Sequence, residues 1–170
     1  MRQSGTAPDT GADWMDQERE WNRQFHPEKF VISPGPWPRL TGLRNELLQR
    51  VVASVCSRGR LPHVCLYALA FHGCAPRASL DAAAAYAEER SWRVRDGRAF
   101  TDPYPPDRLR HRPGWNRVLE QIRGGYADGV VVITTDVVTT DPDEYEQELA
   151  RFQAVSGFIA VTAPDVAVRR

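Results

Sequence analysis

The sequence predicts an α/β domain with a doubly wound, mostly parallel four-stranded sheet and a helical extension at its N-terminal side. Three observations carry that prediction. Short β-rich runs alternate with stretches of helical periodicity. The runs around Val64 and Val130 are apolar throughout, as in strands covered on both faces. Glycines or prolines punctuate nearly every junction between them.

The elements follow in order. Residues 13–25, with Trp14, Trp21 and Phe25, suit a short helix that needs docking to stay ordered. Pro34, Pro36 and Pro38 around Trp37 then predict an extended connector. We therefore divide the chain into a tail and arm, 1–40, and an α/β domain, 41–170. Thr41 is the expected N-cap of a helix whose buried stripe is Leu43, Leu47, Val51 and Val55, widened by Leu48 and Val52, with Gly59 as its stop. A buried strand is expected from His63 to Phe71, ended by Gly73 and Pro76. Ser79 is the expected cap of a helix through Leu80, Ala83, Ala84 and Ala87. A second strand follows from Trp92 to Phe100, irregular at Gly97. The proline- and charge-rich segment Thr101 to Arg112 reads as a mobile or functional loop. Pro113 opens a helix with Trp115, Val118, Leu119 and Ile122 on one face, closed by Gly124 and Gly125. Val130 to Ile133 is the strongest strand. Asp141, Pro142 and Glu144 start a last helix, buried through Tyr145, Leu149 and Phe152, before the strand Phe158 to Val161.

Composition narrows the function classes. The chain has 170 residues, 42% hydrophobic and 26% charged, and its 22 basic residues balance 22 acids. No overall field draws it to nucleic acid, so such a role has to rest on local charge. Arginines outnumber acids from Arg90 to Arg123, and acids dominate from Asp128 to Glu148. No apolar run approaches the roughly 20 residues of a membrane helix, and the polar start carries no secretory pattern, so no membrane association and a cytoplasmic location are expected. Cys56, Cys65 and Cys74 form neither an even disulfide set nor a paired zinc-ligand set. Reduced thiols are expected, with no metal and no cofactor.

In doubly wound sheets ligands sit at the carboxyl ends of the strands, here near Phe71, His72, Gly73, Thr101, Asp102 and Asp136. Taken in order, these neighbourhoods resemble the catalytic domain of serine recombinases, the resolvase and invertase family. Tyr67-Ala68 resembles that family's Tyr-x-Arg-Val-Ser first strand, Ser79-Leu80 the start of its next helix, and Thr101-Asp102 its second-strand exit. Arg112-Pro113-Gly114-Trp115 resembles its Arg-Pro-Gly helix start, and Val131 to Asp136 the strand leading to its Asp-Arg-Leu-x-Arg signature. The match runs from about Val64 to Ala163.

What the resemblance implies about chemistry turns on the departures. In the family a serine attacks a DNA phosphodiester while several arginines stabilise the developing charge. The matching positions here hold Phe71 for the serine, Leu69 for the first arginine, and Val137 and Thr140 for the signature arginines; Arg112 alone remains. The degenerate site is thus Leu69, Phe71, Asp102, Arg112 and Asp136, with no catalytic residue expected. A three-residue slip of the alignment would make Ser79 the obvious substitute nucleophile, but its cap position gives it a structural job.

Three functions fit this pattern. The first is a catalytically inactive recombinase-like domain serving as a protein-binding or assembly module, through Trp14, Trp21 and Trp37 or through the loop 101–112, with a protein partner or self-association. The second is a DNA-binding accessory protein using Arg93, Arg95, Arg98, Arg108, Arg110 and Arg112 as phosphate contacts. The third is an unrelated enzyme acting on a nucleotide or sugar phosphate at the strand-end crevice, with His72 as base, Cys74 as nucleophile, and Asp102 and Asp136 as orienting or acid groups.

Overall fold

A computed structural model of the chain describes residues 35–72 and 76–163. Trp14 and Trp21, and Gly73 and Cys74, lie outside the described residues. The first helix, α1 (Pro36–Ser57), begins ahead of its expected cap, so Thr41 lies inside it and Pro36 and Pro38 form its first turn. The expected extended connector is corrected accordingly. The first four N–H groups of a helix have no intrahelical acceptor, so proline loses nothing there. The buried stripe is Leu40, Arg44, Leu47, Val51 and Val55, whereas Leu43 is exposed. Gly59, at φ +69°, ends this segment as expected.

Four strands follow: β1 (His63–Ala70), β2 (Arg93–Pro103), β3 (Gly129–Val132) and β4 (Phe158–Val161). They pair in the order β2-β1-β3-β4, all parallel, as expected of a doubly wound sheet. Between them run α2 (Arg77–Glu89), α3 (Pro113–Arg123), a single turn α4 (Thr135–Val138), and α5 (Pro142–Ala154). The connection through α2 steps one way along the sheet and those through α3 and α5 step the other way. Right-handed crossovers therefore put α2 on one face and α3 and α5 on the opposite one. The direction reverses between β1 and β3, which opens a crevice at their carboxyl ends.

Packing fixes these layers. Trp115 of α3 is fully buried, with its ring edge-on to Tyr67 of β1 at 4.9 Å and 5.8 Å from Phe152 of α5. Its indole N–H donates to the buried Glu148 carboxylate at 2.9 Å, which Arg151 also meets at 3.0 Å. Asp141 caps α5 as expected, accepting from the backbone N–H groups of Asp143 and Glu144. Ser79 does not cap α2. That helix starts at Arg77 after Pro76, and Ser79 sits in its first turn. Among the described residues, no helix is long and apolar enough to cross a membrane.

Candidate functional site

The segment after Phe100 differs from the loop expected over 101–112. Thr101, Asp102 and Pro103 pair with Ala68, Leu69 and Ala70 as part of β2. A short 3-10 turn follows at Leu109–His111. Asp102 is buried, and its carboxylate accepts from the Tyr67 hydroxyl at 2.8 Å and from the backbone N–H groups of Gly114 and Trp115 at 2.8 and 2.9 Å. A strand residue thus caps the start of α3 across the fold, placing a carboxylate at the positive end of the helix dipole. Burial and the bond to Asp102 together push the Tyr67 phenol well above its usual pKa.

The Arg112-Pro113-Gly114-Trp115 run is built into the same joint. Pro113 takes the first helical position. Gly114 lies so near β2 that an added Cβ would stand 2.5 Å from the Thr101 carbonyl oxygen. Arg112 is buried, its guanidinium donating to the carbonyl oxygens of Asp107 at 2.6 Å and Val137 at 3.0 Å. It ties the 104–112 segment to α4. The residues that carried the resemblance at this point hold the fold together.

The strand-end crevice has a volume of about 930 Å3. Leu69 and Phe71 line it from β1, Ile133, Thr134, Asp136 and Val137 from beyond β3, and Tyr104, Arg108, Arg110 and Arg112 from the 104–112 segment. Leu69 and Val137 are buried, while Thr140 is exposed at the rim. Phe71 is 51% exposed and stacks on Tyr104, itself 49% exposed, with ring centroids 4.2 Å apart. Tyr104 carried no sequence signal beyond lying in a proline-rich stretch.

The charge of the crevice is the reverse of a phosphate cradle. Asp107, Asp136, Asp141, Asp143 and Glu144 line it against Arg108, Arg110 and Arg112, and the Arg112 guanidinium already bonds two backbone carbonyls. Glu144 is itself held by the Thr139 hydroxyl at 2.6 Å and the Leu109 N–H at 3.2 Å. No histidine, lysine, serine or cysteine is among the described residues that line it. Among the described residues no group of three His, Cys, Asp or Glu side chains is placed to hold a metal ion.

The remaining candidates scatter. Arg93, Arg95 and Arg98 lie on the first half of β2, at the opposite end of that strand from Arg108, Arg110 and Arg112. The six arginines therefore do not share one contact surface. His72 is exposed, with φ +47°. Trp37 lies in α1, half-buried, with its ring 5.6 Å from that of Tyr145. It is an anchor of α1 rather than a free side chain.

No family model and no curated protein matches the sequence. Among solved structures, the N-terminal catalytic domain of TP901-1 integrase superposes with a TM-score of 0.50 at 22% identity, covering 59% of this chain and 76% of that one. The C-terminal catalytic domain of ISC1926 TnpA, an IS607-like serine recombinase, gives 0.49 at 19% identity, covering 62% and 73%. The chain has the resolvase-like catalytic-domain fold. At these identities the likeness is one of fold.

Proposed function

We propose that this chain is a catalytically inactive recombinase-fold domain that works as a protein-binding or assembly module, presenting its strand-end crevice and the 104–112 segment to a protein partner. The observation that carries the reading is the exposed Phe71–Tyr104 pair, which stands where the resemblance implies the serine nucleophile. A phenyl ring cannot attack a phosphodiester. Two large aromatic side chains half-open to solvent at the mouth of a crevice are the usual material of interface anchors. The surplus of carboxylates supports the same reading, because it repels a DNA backbone and offsets the three lining arginines, of which Arg112 already bonds two backbone carbonyls.

A DNA contact running from Arg93 to Arg112 has less support, since the arginines divide between two ends of β2 and Arg112 is engaged internally.

Two measurements test the proposal. Incubation with supercoiled plasmid should leave no covalent protein–DNA adduct after denaturation, and an adduct would overturn the claim of inactivity. A photo-crosslinking amino acid placed at Tyr104 in cells should capture a discrete protein partner or a second copy of the chain, whereas the same group at the exposed Ala85 of α2 should not. The captured complex should weaken about tenfold or more in the Phe71→Ser/Tyr104→Ser double variant. Equal capture at both positions would refute a partner-binding crevice.

A further inference from the structure

A second surface lies at the other end of β2. This strand is an outer edge of the sheet, and an edge strand presents backbone N–H and C=O groups with no neighbour to pair with. It is also interrupted in an unusual way. Val64 of β1 opposes Val94 and Leu66 opposes Ala99, so that Cys65 alone faces the four residues Arg95 to Arg98. The extra residues interrupt the pairing as a bulge that contains Gly97 at φ +73°.

The bulge and the residues beside it concentrate positive charge. Arg93 and Arg95 are exposed and Arg98 is half-buried, against Asp96 as the one exposed acid of the strand. Among the described residues no carboxylate pairs with any of the three. Arg98 lies over the ring of Tyr126 at 5.4 Å, and that ring is 57% exposed. The field is felt at His63, held below its usual pKa first by burial and then by Arg95, with Arg60 and Arg93 adding to the effect against the opposing pull of Asp128. A mainly apolar hollow of about 360 Å3 adjoins this charge, lined by Leu61, Ala84, Trp92 and Val94 together with Glu88, Ser91 and Arg93. Leu61 and Val94 are exposed large hydrophobic side chains.

We propose that the outer edge of β2 docks an extended, acidic segment of a partner protein, with carboxylates on Arg93, Arg95 and Arg98 and one apolar side chain in the hollow beside Val94. Strand addition of this kind draws affinity from backbone pairing and selectivity from pockets for alternate side chains. The three cations, none paired with a carboxylate among the described residues, set the sign of the occupant, and the hollow requires that it carry an apolar anchor. A nucleic-acid backbone meets the first requirement and fails the second. Edge-to-edge pairing with a second copy sets the same arginines near one another, which is repulsive. This surface is separate from the crevice, so it stands or falls independently of the function proposed there.

The test is selection from a random peptide library by the full chain, followed by anisotropy titration of a labelled selected peptide. Enriched peptides should combine acidic residues with one large apolar side chain, and binding should weaken steeply as salt is raised. The Arg93→Gln/Arg95→Gln/Arg98→Gln variant should lose about tenfold or more in affinity, and Arg95→Gln/Arg98→Gln should fall between. Leu61→Glu should weaken binding by blocking the hollow, while Phe71→Ser/Tyr104→Ser should leave it unchanged. The proposal is overturned by no enrichment, by a consensus without acids, by full affinity in the triple arginine variant, or by a short DNA duplex that displaces the peptide. Loss of binding in the Phe71→Ser/Tyr104→Ser variant alone would also overturn it, by moving the site to the crevice.

Discussion

Replacing Asp102 with alanine removes one carboxylate and leaves three donors in the interior: the Tyr67 hydroxyl and the N–H groups of Gly114 and Trp115. Each buried donor left without an acceptor forfeits roughly 1 to 3 kcal/mol, and the three share one acceptor, so their losses do not simply add. We expect about 3 to 5 kcal/mol in total, a large fraction of the roughly 5 to 15 kcal/mol that holds a domain folded. For a domain of this size that lowers Tm by about 10 to 15 °C. Tyr67→Phe removes one donor and keeps the cap, so it should lose about 1 kcal/mol. Asp102→Asn should fall between, since its amide oxygen still accepts while its NH2 turns a donor toward a donor. Urea denaturation followed by tryptophan fluorescence measures the loss, with the fully buried Trp115 of the joint among the five tryptophans that contribute. A loss below about 1 kcal/mol for Asp102→Ala would refute the cross-fold cap and return Asp102 to the list of residues available for chemistry.

Four further outcomes follow from the same geometry. Gly114→Ala forces a Cβ against the Thr101 carbonyl and should destabilise by about 1 to 3 kcal/mol in the same denaturation assay. Arg112→Gln leaves the Asp107 and Val137 carbonyls without their donor, and limited proteolysis should then cut the 104–112 segment faster than in the parent chain. Burial pushes the Cys65 thiol up to about 11, opposed weakly by Arg98, so at neutral pH an alkylating agent should label exposed Cys56 and reach Cys65 only on unfolding. His63 is lowered in the folded chain, so the unfolded chain binds the extra proton first and stability falls as pH drops through the ordinary histidine range toward the lowered value. His63→Gln should flatten that part of the pH–stability curve.

The alternation of elements was legible because each strand and helix advertises itself locally. Val130 to Val132 needs no partner to read as a buried strand, and Asp141-Pro142 marks a helix start within a few residues. What escaped depends on residues far apart in sequence. Pro36 and Pro38 read as an extended connector, whereas packing of Trp37 on Tyr145 and of Leu40 in the core makes them the first turn of α1. Leu43 looked like the natural member of the buried stripe, yet Arg44 takes the place, reaching the Thr135 hydroxyl at 3.3 Å. Asp102 read as a loop acid because its partners lie in β1 and α3, and only the sheet brings them together. A crevice lies at the strand ends, lined by Leu69, Phe71 and Asp136 but not by His72 or Asp102, and its excess of acids arises where the start of α5 meets the 104–112 segment, a meeting no local pattern announces.

The first helix packs on the last strand: α1 lies against β4 and α5, about a hundred residues downstream, with Arg39 clasping Glu146 at 2.7 Å. During synthesis α1 leaves the ribosome with Leu47, Val51 and Val55 unshielded, and they stay so until β4 has been made. Closure over so long a span is entropically slow, so the nascent chain carries an adhesive stripe throughout the synthesis of the intervening residues. Stalling or premature termination short of Phe158 should therefore yield a sticky, chaperone-dependent fragment rather than a smaller folded domain.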